Sequence, residues 1–82
     1  MALVRTASGT VRALTGGLDR FEVEATTMRA LLAALDARFP GLATLVREQM
    51  AVAVDGEIHH DADYLSLAPD AEVVLIPRIS GG

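Results

Sequence analysis

Apolar and polar residues alternate with a period of two near the start of this chain. They switch to a period near 3.6 in its middle third and return to short apolar runs toward the end. The first alternation, "ALVRTA" (2–7), predicts a strand with Val4 and Thr6 on one face and Leu3, Arg5 and Ala7 on the other. A loop or single turn is expected next, closing at the turn signal Thr15-Gly16-Gly17. "RFEVEA" (20–25) then sets Phe21, Val23 and Ala25 on one side, which predicts a second strand forming a hairpin with the first.

At "ATTMRALLAALDARFP" the period lengthens. Met28, Leu31, Leu32, Leu35 and Phe39 stand at i, i+3, i+4, i+7 and i+11, which is one face of a helix. Thr26 or Thr27 is the natural N-cap, because a threonine hydroxyl accepts from the free N–H groups of a first turn. Pro40 and Gly41 stop the helix, and "LATLVRE" (42–48) forms a brief second one with Leu42 and Leu45 tucked beneath it.

Strands resume at "AVAV" (51–54). Asp55-Gly56 is a preferred type I′ hairpin turn, returning the chain through "EIHH" (57–60). The stretch "DADYLSLAPDA" has no period; Tyr64, Leu65 and Leu67 are its expected anchors. "EVVLIPR" (72–78) is the last strand. The order β-β-α-β-β-β gives an α+β domain, one main helix against one mixed sheet, with no internal repeat and no linker.

The last strand departs from its pattern. A sheet covered by helices on one side should alternate apolar with polar. Val73 and Leu75 can face the helix, yet Val74 and Ile76 on the opposite side are apolar too. Two readings stand. The strand is central in a small sheet and carries Val and Ile for strand propensity alone, or the second face is an apolar patch that docks a partner.

Composition narrows the function classes. Surface scaling gives a chain of 8.6 kDa roughly 62% of its unfolded area buried on folding, enough for a small core. At 51% apolar residues it is no disordered tail, and its apolar runs are far too short to span a membrane. The start lacks a secretory signal's basic region and apolar core, so a cytoplasmic protein is expected. Net charge is −4 and the seven basic residues, all arginine, are scattered, which argues against nucleic acid. There is no cysteine and no lysine, so no disulfide, thiolate metal site, thiol nucleophile or amine nucleophile on a side chain. "HHDAD" (59–63) gathers two histidines and two aspartates. Adjacent strand residues point to opposite faces, so no metal site is expected there. Ser80 has no base placed by any motif.

The sequence stops at Gly81-Gly82. At ~7% glycine usage, roughly one chain in two hundred would end so by chance, as a frayed terminus. These glycines, however, follow a core strand with Arg78, Ile79 and Ser80 between. The five residues after Pro77 reach at most ~18 Å, enough to thread a narrow channel and set a carboxylate in another protein's active site. Without a Cβ, glycine passes where other residues clash.

With this element order and a Pro-x-x-x-Gly-Gly end, the chain resembles the ubiquitin-related β-grasp carriers, and most closely the MoaD/ThiS sulfur-carrier family. The resemblance covers nearly the whole chain and is carried by "TMRALLAALDARFPGL" (27–42), "VDGE" (54–57), "EVVLIPRISGG" (72–82) and the first strand. The long segment between helix and "AVAVDG", and "FPGL" itself, favour the molybdopterin-synthase small-subunit branch. Asp55 stands where the family usually has asparagine, Asp70-Ala71 where a Gly-Asp pair is common, and Arg78 where molybdopterin carriers often have proline or alanine.

The resemblance implies a β-grasp domain over residues 1–78 and a flexible tail over 79–82. It implies that the chain is a carrier, not an enzyme, binding no cofactor itself. A ubiquitin-activating-like adenylyltransferase would use ATP to convert the Gly82 carboxylate to an acyl-adenylate. A persulfide donor, a cysteine desulfurase or rhodanese-like protein, would displace AMP and leave a thiocarboxylate. A synthase large subunit or other acceptor would then take the sulfur. With Gly82 last, no protease would be needed to expose the carboxylate. Gly81, Ser80, Ile79, Arg78, Ile76 and Val74 would meet these partners, Arg78 either as a solvated charge or against an acidic docking surface. The alternatives are a carrier for thiazole or another sulfur metabolite, a ubiquitin-like modifier joined through Gly82 to lysines, and a binding module with an inert tail.

Overall fold

In the computed structural model, which describes residues 1–59 and 62–78, eight elements follow one another. They are β1 (Ala2–Thr6), α1 (Gly9–Leu14), β2 (Arg20–Val23), α2 (Met28–Arg38), α3 (Leu42–Gln49), β3 (Met50–Val54), β4 (Glu57–His59) and β5 (Glu72–Pro77). The strands form one sheet in the order β2-β1-β5-β3-β4. β1 runs parallel to β5, and the other neighbours pair antiparallel. This is the mixed, ubiquitin-like β-grasp sheet that the sequence predicts, with β5 at its centre. Among the described residues no helix is long and apolar enough to cross a membrane.

The helix predicted from its period is α2, and Met28, Leu31, Leu32 and Leu35 are its buried stripe. Thr27 is the N-cap, its hydroxyl accepting from the Ala30 N–H at 3.1 Å. The two earlier free donors are met from elsewhere in the chain. Met28 N donates to Leu65 O at 2.9 Å and Arg29 N to Asp63 O at 3.2 Å. The irregular stretch after β4 is thereby tied to a helix start that would otherwise hold unpaired N–H groups. Phe39 falls just past the helix but stays on its face, its ring 5.4 Å from that of Phe21.

Gly41 begins α3 with φ of 96°, a left-handed turn that suits glycine, and offers no side chain as a cap. Asp36 reaches over from α2 instead, one carboxylate oxygen accepting from Gly41 N at 3.0 Å and Ala43 N at 3.1 Å. In the β3–β4 turn, Asp55 and Gly56 have the positive φ values of a type I′ turn, 49° and 89°. Asp55 also accepts from Glu72 N at 2.9 Å, pinning the turn to the start of β5.

Several expectations are corrected. The connection between β1 and β2 holds a six-residue helix, capped by Ser8 accepting from Val11 N. Of the three expected anchors Tyr64 is 88% exposed, whereas Leu65 and Leu67 pack against the core as expected, together with Ala62. A tyrosine's bulk suits a core only where its hydroxyl finds a partner, and here smaller neighbours fill the space. β5 ends at Pro77, one residue early, and β2 at Val23. The core lies on one face of the sheet, where Val4, Phe21, Val52, Val73 and Leu75 meet α2, α3 and Val11 of α1.

Candidate functional site: the open sheet face and the root of the C-terminus

β5 carries its alternation into two different surroundings. Val73 and Leu75 are 0% exposed beneath the helices. Val74 and Ile76, on the other face, are half-buried. The register shows what surrounds them. Val74 stands opposite Ala53 on β3 and Arg5 on β1, and Ile76 stands opposite Ala51. Ala53 in turn faces Ile58 on β4, and Arg5 faces Arg20 on β2. One row therefore crosses the whole sheet, Arg20–Arg5–Val74–Ala53–Ile58, apolar on one half and basic on the other.

The apolar half is low in relief. Ala51 and Ala53 are small enough to be almost covered by their neighbours, while Ile58 on the edge strand is 61% exposed. Ile58 was not singled out from sequence, although the signal was there. A two-residue Asp-Gly turn pairs Val54 with Glu57 and hence Ala53 with Ile58.

The basic half is partly neutralised. Arg5 pairs with Glu72 at 3.4 Å, an exposed contact of less than ~1 kcal/mol. Arg5 and Arg20, directly opposite each other, repel across the β1–β2 ladder. With Thr6, Ala7, Asp19 and Val74 they line an open depression of about 530 Å³.

The strand that carries Val74 and Ile76 leads to the chain's end. Thr6 holds the neighbourhood together, its hydroxyl donating to Leu75 O at 3.0 Å and accepting from Ser8 N at 3.0 Å. Pro77 lies past the last β1–β5 pair, Thr6 with Leu75, where the ladder does not call on its missing N–H. Arg78 follows with its backbone N–H on Gln49 O and its guanidinium on the carbonyls of Met50 and Arg47. The side chain assigned from sequence to solvent or to a partner's acid thus engages its own chain. Ile79, Ser80, Gly81 and Gly82 lie outside the described residues, as do His60 and Asp61. Among the described residues no three histidine, cysteine, aspartate or glutamate side chains gather as metal ligands. His59 is half-buried on β4.

A five-stranded mixed sheet clasping one main helix, with the uncovered side of its central strand apolar, defines the β-grasp class of fold. The ThiS family profile matches residues 8–82, and the chain belongs to the ThiS family of ubiquitin-like sulfur carriers. Solved structures agree in fold. A chain of the BexX/CysO complex of Amycolatopsis orientalis superposes with a TM-score of 0.84 at 17% identity, covering 100% of both chains. CysO of Mycobacterium tuberculosis, described as an antigen, gives 0.83 at 17% identity over 96% of this chain and 100% of that one. SAMP1 of Haloferax volcanii gives 0.70 at 23% identity over 99% and 98%. No significant match is found among curated proteins.

Proposed function

We propose that this chain carries sulfur as a thiocarboxylate on Gly82 and delivers it to a biosynthetic synthase. The observation that supports this most is continuity. The family match runs unbroken to residue 82, from a central strand whose uncovered side is apolar. A partner seated on Val74 and Ile76 is within reach of the tail, since four residues beyond Arg78 extend at most ~14 Å.

The chemistry is divided between chains. An activating enzyme transfers AMP from ATP to the Gly82 carboxylate and releases pyrophosphate, because a carboxylate is a poor electrophile. The terminal sulfur of a donor persulfide attacks the acyl carbon and expels AMP. A second thiol of the donor then cleaves the sulfur–sulfur bond, leaving the thiocarboxylate on Gly82. This chain supplies the reacting carboxyl group, and the partners supply acid, base and metal. As acceptor we propose a molybdopterin precursor, on the strength of "FPGL" and of the eight-residue α3 that fills the segment between α2 and β3.

The test is intact-mass spectrometry of the protein isolated from its host. The expected species is a free chain with one oxygen replaced by sulfur, reactive toward thiol alkylators although the sequence has no cysteine. Deleting Gly82 should abolish ATP–pyrophosphate exchange with the activating enzyme while leaving the melting temperature in place. A ladder of lysine conjugates through Gly82 without any thiocarboxylate would favour the modifier instead. Loss of molybdopterin, but not of other sulfur metabolites, on deleting the gene would support the acceptor named here.

A further inference from the structure

Arg78, the last described residue, makes hydrogen bonds to three carbonyls at one helix end. Arg78 Nε donates to Met50 O at 2.9 Å, Nη2 to Arg47 O at 3.3 Å, and the backbone N–H to Gln49 O at 3.1 Å. Arg47 and Gln49 belong to the last turn of α3, and Met50 is its C-cap. The last carbonyls of a helix have no partners within it and carry its partial negative charge. A planar guanidinium, always charged, suits two such oxygens, and the backbone bond adds a third. Arg47 is itself braced, its Nε 3.3 Å from Asp63.

We propose that Arg78 is a positioning residue for activation. By clasping the carbonyl end of α3 it fixes the backbone at position 78, so the activating enzyme meets a preset root four residues before Gly82. This rests on the carrier reading above. A root that is already ordered need not be ordered on binding. Releasing one residue's backbone corresponds to roughly five- to thirty-fold in affinity. The effect therefore belongs in the KM for the carrier and not in kcat, which reports groups on the enzyme around the acyl carbon.

The experiment compares wild type, R78Q and R78K in ATP–pyrophosphate exchange with the ubiquitin-activating-like adenylyltransferase of the same organism. Alongside it runs hydrogen exchange of the backbone N–H at position 78 and thermal melting. R78Q should raise KM about tenfold, leave kcat within twofold, and speed exchange at position 78 about tenfold, with little change in melting temperature. R78K, whose ammonium can reach the same carbonyls, should recover most of both effects. If R78Q raises KM while exchange at position 78 stays slow, Arg78 acts by touching the partner and the proposal is wrong. Fast exchange with an unchanged KM also overturns it, since the clasp would then not serve presentation. If wild type itself supports no pyrophosphate exchange, the carrier reading fails and takes the positioning role with it. The hydrogen-exchange comparison still reports in that case whether the clasp exists.

Discussion

The two faces of β5 are built from nearly the same residues and do opposite things. Val73 and Leu75 are sealed under α2 and α3; Val74 and Ile76, one step along the same backbone, keep part of their surface in water. Apolar character is thus not a measure of what a residue does for folding. On the closed face the helices remove the side chains from water. On the open face no element of the described chain covers them, and their apolar surface remains available to another molecule. The strand-propensity reading explains why Val and Ile are tolerated there, but not why Ala51, Ala53 and Ile58 extend the same character over two further strands.

The sharpest way to break this comparison is to put one charge on each face in turn. Leu75→Asp should unfold the domain. An 82-residue chain has roughly 4–12 kcal/mol of net stability in all. A carboxylate buried without a partner, together with the lost leucine packing, removes about 5 kcal/mol or more. Loss of the cooperative thermal transition by circular dichroism is the expected result. A folded L75D protein would mean that the closed face is not the core.

A smaller effect tests how the closed face is assembled. Asp36→Ala removes the acceptor shared by the Gly41 and Ala43 N–H groups, and Gly41 has no side chain to replace it. The expected loss is about 1–2 kcal/mol in urea unfolding with an unchanged slope. Asp36→Asn, which keeps one acceptor oxygen, should recover most of it. Because α3 also presents the carbonyls held by Arg78, D36A should loosen the root of the tail as well, read as faster exchange at that N–H.

These contacts mark where the sequence was readable and where it was not. The α2 stripe was legible because four buried residues, Met28, Leu31, Leu32 and Leu35, repeat a helical period over eight positions. The Asp55-Gly56 turn was legible because its chemistry is local to two residues. α1 was not, since a six-residue helix with one buried side chain, Val11, offers no period to read. Tyr64 misled because its size invites burial, whereas its exposure is decided by what Ala62, Leu65 and Leu67 already fill. Asp36 and Arg78 were hidden for a further reason. Their partners lie five to thirty-one residues away, and no local pattern marks a side chain that satisfies a distant helix end.

On the open face the expected signs reverse. Val74→Asp or Ile76→Asp should cost less than about 1 kcal/mol, because a half-buried carboxylate can turn into water and no helix packs over it. The same variants should weaken binding to the proposed activating enzyme at least tenfold, as measured by calorimetry on the folded proteins. A variant that melts early but binds normally would return Val74 and Ile76 to a purely structural role.

The smallest stability effect is expected at Ile58, and it decides how far the open face extends. Ile58 lies on the three-residue edge strand β4, 61% exposed, opposite Ala53 and in one row with Val74 and Arg5. Replacing it with threonine keeps the branched Cβ that suits a strand and removes exposed apolar surface, so stability should move by no more than about 0.5 kcal/mol. If partners cover the whole apolar half, I58T should weaken their binding several-fold, in the same direction as Val74→Asp but by less. If they cover β5 alone, I58T should bind as wild type does. The second result would leave Ile58 as a chance exposure on an edge. It would also confine docking to β5, the strand that leads to Arg78 and its contacts with the end of α3.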